Sequence, residues 1–294
     1  MPEEVITPDS QPDFYRMLIV EPGSQVNIAS IDPDRLTSYH SYETAAALLR
    51  SYVQKIDRMQ YVMHAEKKHS LLIILQSLDA GGKDGTIRHI LTSLNPAGCR
   101  VAAFKQPTKT EMAHDFLWRV HPHAPARGEV AIFNRSHYED VLVARVHRLV
   151  PPDIWSQRFD LINEFERLLA AANETVILKF FLHISKEEQL ARFKRRLEDP
   201  TRRWKISDAD YQEREHWEDY MAAFEDVLRK TSTRHAPWFV IPANDKWMRD
   251  MAISQIIMRT LEDLNMQLPD TEVDIARIRR QYHAAEAEST SKAS

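Results

Sequence analysis

Cysteine is nearly missing from this chain. The single one among 294 residues, Cys99, excludes an intrachain disulfide and a thiolate metal cage, and fits a reducing compartment such as the cytoplasm. Glycine is scarce as well, six against fifteen prolines, which speaks against flexible linkers and for a helix-rich chain. No apolar run approaches the roughly 18 residues of a membrane span. The start, MPEEVITPDSQPDF, lacks the basic and apolar regions of a secretory signal, so neither export nor a membrane is expected. Positive charge is not in excess either. The net charge is −4, and any hold on a polyanion must come from a local basic patch. What remains is a soluble globular composition, 43% hydrophobic and 28% charged, long enough for one large domain with an insertion or for two.

The chain is organised around LLIILQSLDAGGKDGTIRHI, residues 71–90. An apolar run from Leu71 to Leu75 reads as a buried strand, and Gly81-Gly82 as the tight loop that ends it. Ile87, Ile90, Leu91 and Leu94 then recur at helical spacing, which puts Lys83 at the first turn of a helix. Backbone N–H groups, a helix dipole and an ammonium there converge on one spot, the chemistry of a phosphate seat; an ordinary strand-to-helix turn is the alternative. Against the pattern G-x-x-x-x-G-K-[ST], this window has Ser77 for the first glycine and Asp84 for the closing hydroxyl. Asp79 would repel a polyanion unless a divalent cation lay between them.

In order, residues 1–40 read as an irregular arm, and Tyr42–Lys67 as an amphipathic helix with Leu48, Leu49, Tyr52, Val53, Ile56, Met59 and Met63 on one face. Further strands are expected at Arg100–Phe104, Glu129–Phe133, Glu174–Leu182 and Pro237–Ile241. Helices are expected at Thr110–Val120, His137–His147, Asp153–Ala172, Ser185–Glu198 and Lys246–Asn265. Alternating strands and helices predict an α/β protein, a parallel sheet of five strands covered on both faces, with its site at the carboxyl ends of the strands. The tail EAESTSKAS, residues 286–294, is expected to be disordered.

Two more stretches carry chemistry. The third strand ends in Asn134-Arg135-Ser136, with Glu139-Asp140 following. Asn134 or Ser136 can simply cap a helix, but a guanidinium at that rim suits a bidentate grip on phosphoryl oxygens. ARFKRRLEDPTRRWK, residues 191–205, has Arg192, Lys194, Arg195, Arg196, Arg202, Arg203 and Lys205 around a break at Asp199-Pro200. Such a run is either a solvated face or a basic lid that closes over phosphates.

Five segments together resemble the polyphosphate kinase 2 family: LQSLDAGGKDGTIRH (75–89), HDFLWR (114–119), ARGEVAIFNRSHYEDVLVARV (126–146), FLHISKEEQLARFKRRLEDPTRRWK (181–205) and WFVIPANDKWMRD (238–250). The resemblance spans about residues 42–268. It implies a P-loop kinase-like three-layer αβα sandwich with a helical basic lid at about 195–235, an N-terminal arm (1–40) and a C-terminal helix and tail (269–294). It implies phosphoryl transfer from inorganic polyphosphate to adenine or guanine nucleotides, with magnesium or manganese, in a cytoplasmic homodimer or homotetramer that needs no nucleic acid.

Carried over by motif, Asp79, Lys83, Arg135 and Arg196 resemble the catalytic set, and Asp79 and Asn134 the metal-holding positions. Ala80, Gly81, Gly82, Asp84, Gly85, Thr86, Arg202, Arg203 and Lys205, with Lys83, resemble the phosphate-binding set. Relatives often have aspartate at Asn134, which leaves only an uncharged amide oxygen for a metal. Glu139 resembles the subgroup that accepts both nucleoside mono- and diphosphates; relatives restricted to diphosphates tend to have asparagine there. An ATP-dependent nucleotide kinase and a non-catalytic polyanion binder are the rival readings.

Overall fold

A computed structural model describes residues 12–36, 42–92, 94–270 and 273–291. Its strands are β1 (Ile19–Val20), β2 (Ser70–Gln76), β3 (Cys99–Ala103), β4 (Val130–Asn134), β5 (Thr175–His183) and β6 (Trp238–Pro242). They form one sheet in the order β1-β6-β5-β2-β4-β3. The helices are α1 (Phe14–Leu18), α2 (Tyr42–Glu66), α3 (Lys83–Leu91), α4 (Lys109–Met112), α5 (Val143–Val146), α6 (Pro152–Asn173), α7 (Lys186–Glu198), α8 (Asp208–Glu215), α9 (Trp217–Thr231), α10 (Lys246–Asp263) and α11 (Ile275–Ser291).

β2 is central, with Leu71 opposite Val130 on β4 and Val176 on β5. Leu71, Ile73 and Leu75 face one layer, against Ile56 and Met63 of α2, Ile87 and Ile90 of α3, and Ile253, Ile256 and Ile257 of α10. Leu72 and Ile74 face the other, against Phe159, Ile162 and Phe165 of α6 and Phe224 and Val227 of α9. A strand covered on both faces must be apolar at every position, which is why its sequence is an unbroken run. The result is a three-layer αβα sandwich, and β2 to β6 are parallel.

The sheet has six strands rather than five. Residues 12–20 are not irregular: α1 buries Phe14, whose N–H donates to Gln255 Oε1 at 2.8 Å, and β1 pairs antiparallel with β6 (Ile19 with Phe239, Val20 with Trp238). A two-residue strand has no periodicity to detect, yet it covers an otherwise open edge. The helix expected at Thr110–Val120 is only α4, because Asp115 Oδ1 accepts from the Leu117 N–H at 3.0 Å and turns the chain. His137–His147 is a 3₁₀ turn (His137–Asp140) followed by α5. Within the tail expected to be disordered, residues 286–291 continue α11; residues 292–294, and 1–11 and 37–40 of the expected arm, lie outside the described residues. The stretch 195–235 divides: α9 buries Tyr220, Phe224, Val227 and Leu228 in the core, whereas Arg202, Arg203 and Trp204 are exposed.

Below the carboxyl ends of the strands lies a buried ion pair. Lys179 of β5 and Glu166 of α6 have no exposed surface. Lys179 Nζ donates to Glu166 Oε2 (2.6 Å), Tyr138 Oη (2.9 Å) and the Thr231 carbonyl (2.7 Å), and Tyr138 Oη donates to Glu166 Oε1 (2.8 Å). This ties β5, α6 and α9 to the turn that follows Arg135. Lys179→Met, which leaves a buried carboxylate without its cation, is expected to destabilise the fold by about 3–5 kcal/mol. Lys179→Met with Glu166→Gln should recover part of that loss; urea unfolding followed by circular dichroism compares them, and a single variant as stable as the parent contradicts the expectation.

Candidate active site

β2 ends at Gln76, and residues 77–82 loop over its end before α3 begins at Lys83. The loop needs left-handed backbone at Ala80 (φ 59°) and Gly82 (φ 107°). Gly81 packs on Ser77, whose Cβ would lie 2.5 Å from a Cβ at position 81, so no side chain fits there. Lys83 Nζ folds back to donate to the Ser77 carbonyl and hydroxyl, both at 2.9 Å, and faces the Leu78 carbonyl at 3.4 Å. Burial, and then the nearby Arg135 charge, pull its pKa down to about 8, with Asp79, Glu139 and Asp84 opposing. Asp84 accepts from Lys205 Nζ (2.8 Å) and from Asn134 Nδ2 (3.2 Å). Those contacts, the Lys205 hydrogen bond foremost, hold its carboxyl below the usual range.

At the end of β4 the backbone turns sharply, with Arg135 at φ 61° and its N–H on the Leu75 carbonyl (3.1 Å). That turn aims the guanidinium back across the glycine loop. Nη2 donates to Asp79 Oδ1 (2.8 Å) and Nη1 to Glu139 Oε2 (3.0 Å). Glu139 chiefly, against the pull of burial and helped by Asp79, raises its pKa and keeps it cationic. Ser136 Oγ accepts from the Tyr138 N–H (3.2 Å) and from Gln76 Nε2 (3.1 Å), pinning the turn to the end of β2.

Two cavities meet at this ion pair. The first, about 950 Å³, is lined by eleven basic side chains (Lys83, Arg88, Lys105, Arg135, Arg192, Arg195, Arg196, Arg202, Lys205, Lys246 and Arg249) against two carboxylates, Asp79 and Asp84. The second, about 320 Å³, is lined by Glu139, Asp140, Arg119, Glu213 and Tyr220 together with Leu142, Val143, Ala144 and Leu149. Asp79, Arg135, Phe104, Lys105 and Gln106 line both.

Of the residues singled out in the sequence, Asp79, Ala80, Gly81, Gly82, Lys83, Asp84, Gly85, Asn134, Arg135, Arg196, Arg202 and Lys205 line the first cavity, and Glu139 the second. Two do not. Thr86 is buried inside α3, and Arg203 Nε turns away to the Leu197 carbonyl (2.9 Å). Arg196 reaches the cavity with its Nη1 on the Lys205 carbonyl (3.0 Å) and Asp210 at 3.6 Å. Sequence reasoning passed over Arg88, Lys105, Lys246 and Arg249: Arg88 lies within LQSLDAGGKDGTIRH and Lys246 and Arg249 within WFVIPANDKWMRD, but neither segment was read for these cations, and Lys105 lies in no such segment. Arg192, read as one charge of a basic run, is instead a clamp, with Nη1 on the Ala80 carbonyl (2.9 Å) and Nη2 on that of Ala243 (2.6 Å).

Among the described residues no group of three His, Cys, Asp or Glu could hold a metal. Two carboxylates and the Asn134 amide at the rim of the first cavity nevertheless fit a hard cation such as magnesium. That ion is usually held through one or two carboxylates and the phosphates of a substrate.

A family model described as polyphosphate kinase 2 matches residues 38–269. An AMP/ADP-polyphosphate phosphotransferase of Meiothermus ruber is 47% identical over 260 residues, covering 88% of this chain and 97% of that protein. An ADP-polyphosphate phosphotransferase of Rhodopseudomonas palustris is 44% identical, covering 79% and 84%. The crystal structure of a polyphosphate kinase 2 from Arthrobacter aurescens superposes with a TM-score of 0.86 at 38% identity, over 90% of this chain and 95% of that one. With a family model matching most of the chain, relatives matched over most of their own length and a shared fold, the chain belongs to the polyphosphate kinase 2 family.

Proposed function

We propose that this protein moves the terminal phosphoryl group of inorganic polyphosphate onto AMP and ADP, reversibly. The observation that carries this reading is the junction of a strongly basic cavity with a smaller, partly apolar one at Asp79 and Arg135. The basic cavity suits a long phosphate chain; eleven cations are more than a nucleoside triphosphate requires, which weighs against an ATP-dependent kinase. The second cavity, with apolar walls and carboxylates, suits a nucleoside. The relatives' names, which pair polyphosphate with AMP and ADP, support the same assignment.

Chemically, an oxygen of the acceptor's terminal phosphate attacks the terminal phosphorus of polyphosphate in line. The new P–O bond forms as the bond to the bridging oxygen breaks, and that oxygen leaves with the shortened chain. The protein aligns the two anions and neutralises the charge on the transferred group. Lys83, released from Ser77, and Arg196, released from the Lys205 carbonyl, bind its oxygens, and Arg135 spans donor and acceptor. Asp79, Asp84 and Asn134 would hold a divalent cation, magnesium or manganese, which when bound supplies further charge neutralisation. Residues 195–216 form the basic cover. Carried with the family reading are guanine nucleotides as further acceptors, cytoplasmic placement and assembly into homodimers or homotetramers; among the described residues no helix is long and apolar enough to cross a membrane.

Three outcomes follow. Lys83→Ala and Arg196→Ala are each expected to lose about 2–4 kcal/mol of transition-state stabilisation with unchanged thermal unfolding; a near-parental turnover number removes that residue from the mechanism. Glu139→Asn is expected to lower kcat/KM for AMP more than for ADP, and equal losses contradict the selectivity role. Because Lys83 is neutral in the free protein above pH 8 and a bound phosphate favours its ammonium, polyphosphate binding at pH 9 should take up close to one proton, and at pH 7 almost none. Titration calorimetry in buffers of different ionisation enthalpy measures this; equal uptake by Lys83→Met refutes it.

A further inference from the structure

Arg249 of α10 is 2% exposed, yet its guanidinium lines the basic cavity. Nε and Nη2 both reach Asp250 Oδ1, at 2.9 and 2.8 Å, which fixes the plane of the fork. Nη1 has no acceptor among the described residues. It lies against the glycine loop. A Cβ at position 82 would collide with Nη1 and sit 3.4 Å from Cζ, and a Cβ at position 85 would sit 3.5 Å from Nη2. The fork therefore runs along the first turn of α3, where free backbone N–H groups and the helix dipole converge.

Arg192, also buried beside Gly82, makes a useful contrast. Its donors are occupied by Glu188 and by the carbonyls of Ala80, Ala243 and Asn244, so it holds the loop in place. Lys83, Arg196 and Lys205 each rest on an internal acceptor and must exchange it for a ligand. Arg249 differs from all of these. It is desolvated and held in one orientation by a carboxylate, and it keeps a donor in reserve. Nη1 is not one of the sealed, unsatisfied polar atoms of the described residues; it opens on the basic cavity, where an anionic oxygen can reach it as a charge-assisted acceptor.

We propose that Arg249 binds an oxygen of the phosphate chain in the basic cavity, that Asp250 positions it, and that position 82 is glycine so that the fork can approach the loop. The proposal rests on the polyphosphate reading above and adds a residue to it. The ligand class is a phosphoanhydride chain, and the nucleoside in the second cavity is not involved.

The test is calorimetric binding of polyphosphate without nucleotide, and of ADP without polyphosphate, to the parent, Arg249→Met and Arg249→Lys. Arg249→Met should weaken polyphosphate about ten- to a hundredfold, the size of a charged hydrogen bond, and leave ADP binding unchanged. Arg249→Lys should recover only part, since one ammonium cannot reproduce a fixed fork. In steady state KM for polyphosphate should rise more than kcat falls, and Asp250→Asn should shift it the same way by less. Unchanged polyphosphate affinity in Arg249→Met, or equal weakening of polyphosphate and ADP, overturns the proposal. If Arg249→Met fails to fold, parental polyphosphate affinity in both Arg249→Lys and Asp250→Asn overturns it instead. A parent protein that neither binds nor uses polyphosphate overturns the donor reading and this assignment with it. A parent that uses polyphosphate while Arg249→Met is indifferent overturns the assignment alone.

Discussion

The contact between Asp79 and Arg135 is the constraint on which the rest of this structure depends. One residue belongs to the loop after β2 and the other to the turn after β4, so their meeting requires those strands to be neighbours and in register. Everything around the pair serves to hold it. Gln189 Nε2 binds the Asp79 carbonyl at 3.0 Å, Glu139 takes the other branch of the guanidinium, and Gln76 and Ser136 lock the two turns together. Beneath, the Lys179–Glu166 pair secures Tyr138, three residues after Arg135. A guanidinium shared between two carboxylates remains charged and pre-aimed, which is what a group bridging two polyanions needs.

Crowding cations into one cavity of an acidic protein raises a second problem, mutual repulsion. The structure answers it with internal acceptors. Lys83 lies on the Ser77 carbonyl and hydroxyl, Lys205 on Asp84, Arg196 on the Lys205 carbonyl, and Arg195 on Glu188 (2.5 Å). The contacts of Lys83 and Arg196 are exchangeable, since a phosphate oxygen can replace a carbonyl and return more Coulombic energy in a partly desolvated site. The serine at position 77, in place of the first glycine of the usual loop, fits this scheme because its hydroxyl adds one of the acceptors that hold Lys83 down.

How much could be read without coordinates varied with the physics. Strands β2 to β6 were legible to within one residue. β2, β4, β5 and β6 are buried on both faces and therefore nearly apolar; β3, a largely exposed edge strand, still carries a short apolar run, and the helices between the strands repeat at 3.6. The anchor built from α1 and β1 was not: its five- and two-residue elements gain their stability from α10 and β6, far away in the sequence. Nor was the turn at Asp115, where a side-chain cap overrides residues that would otherwise continue a helix.

The amino-acid order alone determined the glycine loop, the alternation that makes a parallel sheet, and the positions of Lys83, Arg135 and Arg196 at the strand ends and lid, since each depends on local spacing and on family motifs a few residues long. Only the tertiary structure decided which of the basic residues share a space. It turned Arg203 away, made Arg192 a clamp, and brought Lys246 and Arg249 to the glycine loop from more than 160 positions along the chain. The physical reason is that charge acts through distance in space, and that distance is set by how helices pack on the sheet, not by separation along the chain.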